Sequence, residues 1–423
     1  MVKRRVFLLA LSFLVLATGI VSANGAQEDE GDIKLTYWMI SGGRVTHAEY
    51  AIEAFKKIRP DVEVELVVNS TDDHKKNLKI AASSGSMPSM WYNWGGSLGS
   101  FYSENGLSYD LTKYAQEHDW ANKYRKTSLE LATLDGIVAG VPAQISMFGI
   151  MYRKDLFEKA GITSEPSTFE EWEKNLKKIK DAGIIPFALG GKNGWQLFRL
   201  IELLIEKNLG AAKHDKLLAM DTDLWLDPGI TQSFAEYKSY VDSGYFPNGF
   251  ITQEPNDARM LIYNGLAAMT IDGASLIAMA NSDGRDISQF GFFPMPLSDK
   301  GNRMISFIGM TQLSAKLTDR ELEAAIDFTD TLFSQEVIDA VGGSVQHPVA
   351  NSKIPVPADQ PIVQEVTDAL AEHGGFLITD QGLPQEVVTK LFEVQDAVAS
   401  GKMTPAEVGP FMKKISDTYL ATH

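Results

Sequence analysis

Cysteine is absent from the 423-residue sequence. Without a thiol there is no disulfide, no cysteine nucleophile, no thiolate metal site and no cysteine to acylate as in a bacterial lipoprotein. Positive charge is scarce: 39 Lys and Arg against 55 Asp and Glu, a net charge of −16. A basic nucleic-acid footprint is therefore missing, and the acidic balance is expected to work against polyanionic ligands and anionic membrane surfaces. Catalytic signatures are missing too. His47, His74, His118, His214, His347, His373 and His423 form no H-E-x-x-H, and neither G-x-S-x-G nor G-x-x-x-x-G-K-[ST] occurs. "DTDLWLDPG" (Asp221–Gly229) begins like a calcium loop, but Trp225 occupies a ligand position and the closing glutamate is missing. Neither a cofactor nor a metal is expected. Among so many carboxylates some pair always mimics a glycosidase dyad, which alone says little.

Long apolar runs are lacking everywhere but at the start. Lys3, Arg4 and Arg5 precede "VFLLALSFLVLATGIV" (Val6–Val21), and small residues follow at Ala23 and Ala26. This reads as a secretory signal peptide rather than a spanning helix, because the run is short and ends in small residues. Cleavage after Ala23 or Ala26 is expected to leave the protein periplasmic or extracellular. Residues 1–23 hold three cations and no acid, so their loss takes the charge from −16 to −19. The polar stretch at 24–32 reads as a flexible leader.

What remains is ordinary globular material, 44% apolar and 22% charged, long enough for two or three domains or one large two-lobed unit. "IKLTYWM" (Ile33–Met39) and "VEVELVV" (Val62–Val68) read as strands, and the stretch "PSMWYNWGGSLGSFY" (Pro88–Tyr102) as a third, with Trp91 and Tyr92 in the strand and Asn93 and Trp94 at its carboxyl end; helical patterns lie between them. That alternation is a doubly wound α/β start. "GIVAGVPA" (Gly136–Ala143), "FGIMYR" (Phe148–Arg153), "IIPFALGG" and "GLAAMTIDG" (Gly265–Gly273) read as further strands, and "LFRLIELLIEKNLG" as a strongly apolar helix. Ser167/Glu170, Thr168/Glu171, Thr318/Glu321 and Thr404-Pro405/Glu407 are candidate capping boxes.

Open α/β sheets bind ligands beyond the carboxyl ends of their strands. Four such ends join aromatic or polar heads to glycines: "YWMISGGR" (Tyr37–Arg44), "YNWGGS" (Tyr92–Ser97), "LGGKNGW" (Leu189–Trp195) and "TIDGAS" (Thr270–Ser275). The glycines are expected to let the backbone approach a ligand. An indole beside amides and carboxylates suits a sugar, which offers one C–H face to stack and a rim of hydroxyls. Trp38, Trp91, Tyr152 and Trp172 are expected in the core, while Trp94 and Trp195, beside glycines, are expected to face ligand.

Several segments carry a resemblance: "AFKKIRPDVEVELVVNSTDDHKKNLKIAASSGSMPSMWY", "DGIVAGVPAQISMFGIMYRKDLFEKAGITSEPSTFEEWEKNLKKIKDAGIIPFALGG", "YNGLAAMTIDG" and "SGKMTPAEV". Over about residues 33–415 the chain resembles the solute-binding proteins of bacterial ABC importers, in the carbohydrate-binding family that includes maltose-binding protein. The resemblance implies an α/β periplasmic-binding-protein fold of two lobes, each a mostly parallel sheet flanked by helices. Three hinge crossovers would join them, near Ala143–Ser146, Phe292–Leu297 and Gly342–Pro348. It implies an N-lobe of 33–143 plus 297–345 and a C-lobe of 144–296 plus 346–423. It implies a carbohydrate in the cleft, contacts with membrane permease subunits, no nucleic acid and a monomer. Carried over one position at a time, Ser41 and Arg44, Asn93 and Trp94, Gln144 and Ser146, Trp195, Asp272, and Gln346 and His347 would meet the ligand. Maltose-binding protein has an acid at the Ser146 position, and many relatives have a tryptophan near "GASL", so malto-oligosaccharides and long oligosaccharides are disfavoured. Two alternatives stay open: a secreted glycosidase, and a binding protein of the same fold for a phosphorylated polyol or polyamine. A phosphate would want more cations than Arg44, and a polyamine more acids than Asp272.

Overall fold

The computed structural model describes residues 32–42, 44–296, 302–341, 349–356, 358 and 360–423, apart from the Ser282 side chain. Strands β1 (Ile33–Ile40), β2 (Val62–Asn69) and β3 (Met90–Trp94) alternate with helices α1 (Arg44–Ile58) and α2 (Thr71–Ser84). β1 pairs in parallel with β2 and β3, as crossover helices require. α1 lays Phe55 on Phe328 of the helix Asp319–Leu332, ring centroids 5.4 Å apart, covering one face of this half.

Strand β4 (Val141–Arg153) is one continuous strand of 13 residues, where the sequence pattern reads as two strands with a break between them. It pairs antiparallel with β8 (Met304–Leu313) from Val141 to Phe148, and from Gly149 onward with β6 (Ala267–Asp272) and β7 (Phe290–Phe293). β5 (Ile185–Phe187) pairs in parallel with β6, and β9 (Gly375–Leu377) with β8. The path runs β2-β1-β3-β8-β4-β6-β5, with β9 on β8 and β7 on β4. Each half thus keeps parallel strands of its own, and among the described residues the antiparallel pairings of this sheet belong to the long strands β4 and β8 that tie the halves together; Thr133–Leu134 and Ile137–Val138 form a separate antiparallel pair. Twelve of the 13 residues of β4 are buried, as expected of a strand covered on both faces. β7 stops at Phe293, where Pro294 removes the next backbone donor. The expected third crossover, with Gln346 and His347, lies outside the described residues.

The helix caps follow the sequence. Thr318 and Glu321 exchange hydrogen bonds at the start of Asp319–Leu332, as do Thr404 and Glu407 at the start of Pro405–Thr422. Of the two candidate frames near 168, Thr168 is the cap and accepts from the Glu171 N–H at 3.2 Å; each such cap contributes about 1 kcal/mol. No helix among the described residues is long and apolar enough to cross a membrane. The expected core aromatics are in place. Trp91 and Trp172 are sealed, Tyr152 is buried with its hydroxyl on Glu165 at 2.8 Å, and Trp38 packs on the cluster of Leu78, Trp91 and Tyr102.

Candidate functional site

Strand ends from both halves converge on a cavity of about 120 Å³. From the first half come Ile40 and Ser41 at the end of β1, Arg44 at the start of α1, Thr71 and Lys75 of α2, Trp94 at the end of β3, and Leu98 of α3 (Ser97–Glu104). Opposite them stand Phe148 of β4, Trp195 and Arg199 of α4 (Trp195–Leu209), Asn256 and Arg259 of α5 (Pro255–Tyr263), and Ser275 and Met279 of α6 (Ala274–Ser282). Phe307 of β8 lines it too, with Ile378, Asp380 and Gln381 at α7 (Thr379–Gly382). An Asn193 Nδ2–Asp72 Oδ2 hydrogen bond of 2.8 Å joins the loop before α4 to α2.

Of the residues expected to meet ligand, Ser41, Arg44, Trp94 and Trp195 line the cavity. Asn93, Gln144, Ser146 and Asp272 do not; all four are buried. Asn93 is tied into its own turn: Nδ2 donates to Gln312 Oε1 at 2.6 Å and Leu98 O at 3.2 Å, and Oδ1 accepts from the Trp94 N–H. Gln144, with its amide oxygen turned toward the guanidinium, accepts from Arg44 Nη2 at 2.6 Å and Nε at 3.2 Å. It therefore aims a lining residue. Ser146 sits in the β4–β8 ladder opposite Phe307, fully buried.

Asp272 works from beneath the cavity. Its Oδ2 accepts from Arg259 Nε at 3.0 Å and Nη2 at 2.8 Å, with Arg199 Nη1 at 3.3 Å. Its Oδ1 accepts from the Gly273 N–H at 2.9 Å and the Ser275 hydroxyl at 3.1 Å. Burial alone would raise this carboxyl, but the two guanidiniums and the backbone donor hold it well below the usual range. Burial drives Arg199 down to about 10 despite Asp272, whereas the charge and hydrogen bonds of Asp272 outweigh burial at Arg259 and raise it.

The aromatics hold cations. Arg199 lies between two rings, its Cζ 3.9 Å from the Phe148 centroid and 4.7 Å from that of Trp195. Arg259 sits 5.7 Å from Trp195, Lys75 Nζ 5.0 Å from Trp94, and Arg44 5.1 Å from Tyr92, all within cation–π range. Trp94 also meets Tyr92 edge-on at 5.1 Å. Four polar atoms of lining residues have no hydrogen-bond partner among the described residues: Trp195 Nε1, Arg199 Nε, Asp380 Oδ1 and Gln381 Oε1. Burial raises the Asp380 carboxyl, with Lys75 and Arg199 opposing.

The glycines at these strand ends serve packing. A Cβ on Gly95 would lie 2.6 Å from Ile308 Cγ2, one on Gly96 2.2 Å from the Gln381 carbonyl oxygen, and one on Gly194 2.3 Å from the Phe392 ring. They let protein approach protein, where a ligand was expected. Lys75, Arg199, Arg259, Asp380 and Gln381 were not singled out by sequence. One signal was available for Arg199: with Glu202 and Glu206 it sets a charged stripe into a strongly apolar helix.

A family model described as bacterial extracellular solute-binding protein matches residues 46–338. A putative binding protein of Brucella abortus is 26% identical over 293 residues, 68% of this chain and 69% of that one. A multiple sugar-binding protein of Streptococcus mutans is 24% identical over 328 residues, 74% of each chain. Among solved structures, a chitin oligosaccharide binding protein superposes with a TM-score of 0.82 at 24% identity, over 92% of this chain and 98% of that one.

Proposed function

The chain belongs to the bacterial extracellular solute-binding proteins, and from that membership we propose that it captures a carbohydrate between its lobes and delivers it to the membrane subunits of an ABC importer. The observation that carries the sugar is the pairing of rings with free acceptors. Trp94, Trp195 and Phe148 line a cavity whose Asp380 Oδ1 and Gln381 Oε1 lack partners among the described residues. Sugar C–H groups would lie against the ring surface that Arg199, Arg259 and Lys75 leave open, and unpaired carboxylate and amide oxygens accept from hydroxyls. The names of the Streptococcus mutans relative and the chitin oligosaccharide binding protein point the same way.

In this reading the lobes divide where β4 changes partners, between Phe148 and Gly149, a few residues beyond the crossover the resemblance implies. Ligand favours the closed arrangement, in which Asp72 and Asn193 meet, and the importer reads that state. The protein acts as a monomer, without a cofactor and without chemistry on its ligand, after its signal peptide is removed. Thermal shift of the processed protein against a sugar library, with product analysis of every hit, tests the proposal. A sugar that raises the melting temperature and is recovered unchanged supports it; turnover of that sugar, or no stabilisation by any sugar, overturns it.

A further inference from the structure

The cavity's charge runs against that of the whole protein. Four of its lining residues are cations, Arg44, Lys75, Arg199 and Arg259, and one is an acid, Asp380. Asp272 beneath offsets one more charge, and its two oxygens are already engaged by Arg259, Arg199, Gly273 and Ser275. Asp72, beside Lys75 at the start of α2, offsets another, and among the described residues an excess of one positive charge remains, in a chain of net charge −16. We propose that the ligand is an acidic carbohydrate, a sugar bearing a carboxylate, sulfate or phosphate, gripped by Arg44 and Lys75 from one lobe and Arg199 and Arg259 from the other. This rests on the carbohydrate reading above.

Three observations converge on it. The cations are held in place: Arg199 is clamped between Phe148 and Trp195, Lys75 lies on Trp94, and Gln144 orients Arg44. Arg199 is also under-compensated. Only 5% exposed, it has an Nε without a partner among the described residues, and burial lowers its pKa to about 10 even with Asp272 beside it. The nearby Glu202 does not offset this, since burial raises it to about 8, above neutral pH. Lastly, α1, α4 and α6 all begin at or next to lining residues, and none carries an acid in its first turn. The positive ends of their helix dipoles add to the local potential. By contrast α2, which begins at the same cavity, carries Asp72 and Asp73 there.

The arrangement couples ligand charge to closure. Bringing cations of two lobes together across a low-dielectric gap is unfavourable until an anion lies between them. A neutral sugar leaves that repulsion in place; an anionic one removes it and gains charge-assisted hydrogen bonds from both sides. The acidic surface excludes polyanions at long range, but close contact is governed by the local field.

Glucose, glucuronate, glucose 6-sulfate and glucose 6-phosphate, then galactose and galacturonate, are to be titrated calorimetrically into the processed protein, with inorganic phosphate, sulfate and citrate as sugar-free anions. At least one acidic sugar is expected to bind tenfold or more tightly than its neutral parent, and more weakly as NaCl rises from about 50 to 300 mM. Which acid wins tells carboxylate from sulfate or phosphate. Lys75→Met and, separately, Arg44→Met should cut that affinity about tenfold and lower binding of the neutral parent by much less, so that the preference for the acid shrinks; equal losses for acid and neutral parent would overturn the charge requirement. Neutral parents binding as tightly as their acids would overturn the charge requirement and leave the carbohydrate reading standing. Phosphate, sulfate or citrate giving the full effect overturns the sugar. No binding by any sugar here, nor by any in the library screen, would remove both.

Discussion

Asp272 shows why a residue can govern a cavity it does not line. A buried carboxylate is tolerable only when paired and fully hydrogen-bonded, and Asp272 meets both conditions through Arg259, Arg199, Gly273 and Ser275. Asp272→Asn leaves two buried guanidiniums without their counter-charge. It should cost about 3–5 kcal/mol in urea unfolding at pH 7, and binding should fall with it. Its depressed pKa adds stability above the unfolded carboxylate value, and that stability is lost as pH falls below it. The cost of Asp272→Asn should therefore shrink on acidification below about pH 4. The two tryptophans separate in the same way. Trp195 is only partly buried, so Trp195→Ala should lower sugar affinity about tenfold, ~1.4 kcal/mol, with the unliganded melt little changed. Trp94 is 7% exposed and packs on Tyr92 and His74, so Trp94→Ala should weaken binding and also cost about 3 kcal/mol of stability. From sequence both appeared free to stack on ligand. Neighbouring glycines marked a tight turn, but what entered the space they leave was not written in them.

At the scale of elements, a tight approach fixes where the cavity's acceptors stand. Gly96 caps α3 at φ +60, and the space its missing Cβ leaves is filled by the Gln381 carbonyl of α7. Gly96→Ala combines a strained backbone with a clash and must push α7 away, carrying Asp380 and Gln381 with it. A loss of about 1–3 kcal/mol in denaturant unfolding is expected, together with weaker binding in calorimetry. Much of this level was legible. Strand period, helix period and capping pairs are local patterns, so β1 to β3 with their helices, and the caps at Thr318 and Thr404, could be read directly. The continuity of β4 could not: the expected strand Gly136–Ala143 runs through Gly140, where the structure breaks, and stops short of Gln144–Met147, whose polar residues become strand only because β8 pairs with them. Four of the eight expected site residues that are described do not line the cavity, for a related reason. Position at a strand's end does not say whether a side chain turns to the cavity, as Trp94 does, or into its own turn, as Asn93 does. Arg199, Glu202 and Glu206 follow the helical spacing that puts them on one face of α4, and that face is buried. Their partners, Asp272, the Thr379 N–H, and His214 with Arg303, come from other elements and are invisible in a single window of sequence.

For the whole molecule, stability and binding are linked through the buried groups on α4. Burial raises Glu202 to about 8, with the Thr379 N–H at 2.8 Å partly offsetting it. The native protein thus keeps a proton that the unfolded chain releases above about pH 4.3. Stability from this group is fully present below that value and is lost as pH rises through about 8. His47 and His74 act on the acid side. Burial lowers both to about 4, so each adds stability above the unfolded histidine value and loses it as pH falls from about 6.5 toward 4. A melting curve against pH should therefore decline on both sides of a maximum near neutrality. Glu202→Gln separates the two limbs, because its amide oxygen still accepts from Thr379 N–H while carrying no charge. The variant should match the parent near pH 4.5, keep the same acid limb, and melt on the order of a few degrees higher at pH 8. The same substitution reaches the cavity. Deprotonated Glu202 places a negative charge beside Arg199, so affinity for an acidic sugar should fall above pH 8 in the parent and hold steady in Glu202→Gln. Calorimetric titrations of both proteins at pH 7 and pH 9 decide it; parallel losses in the two would show that the carboxyl of Glu202 does not change its charge between those pH values.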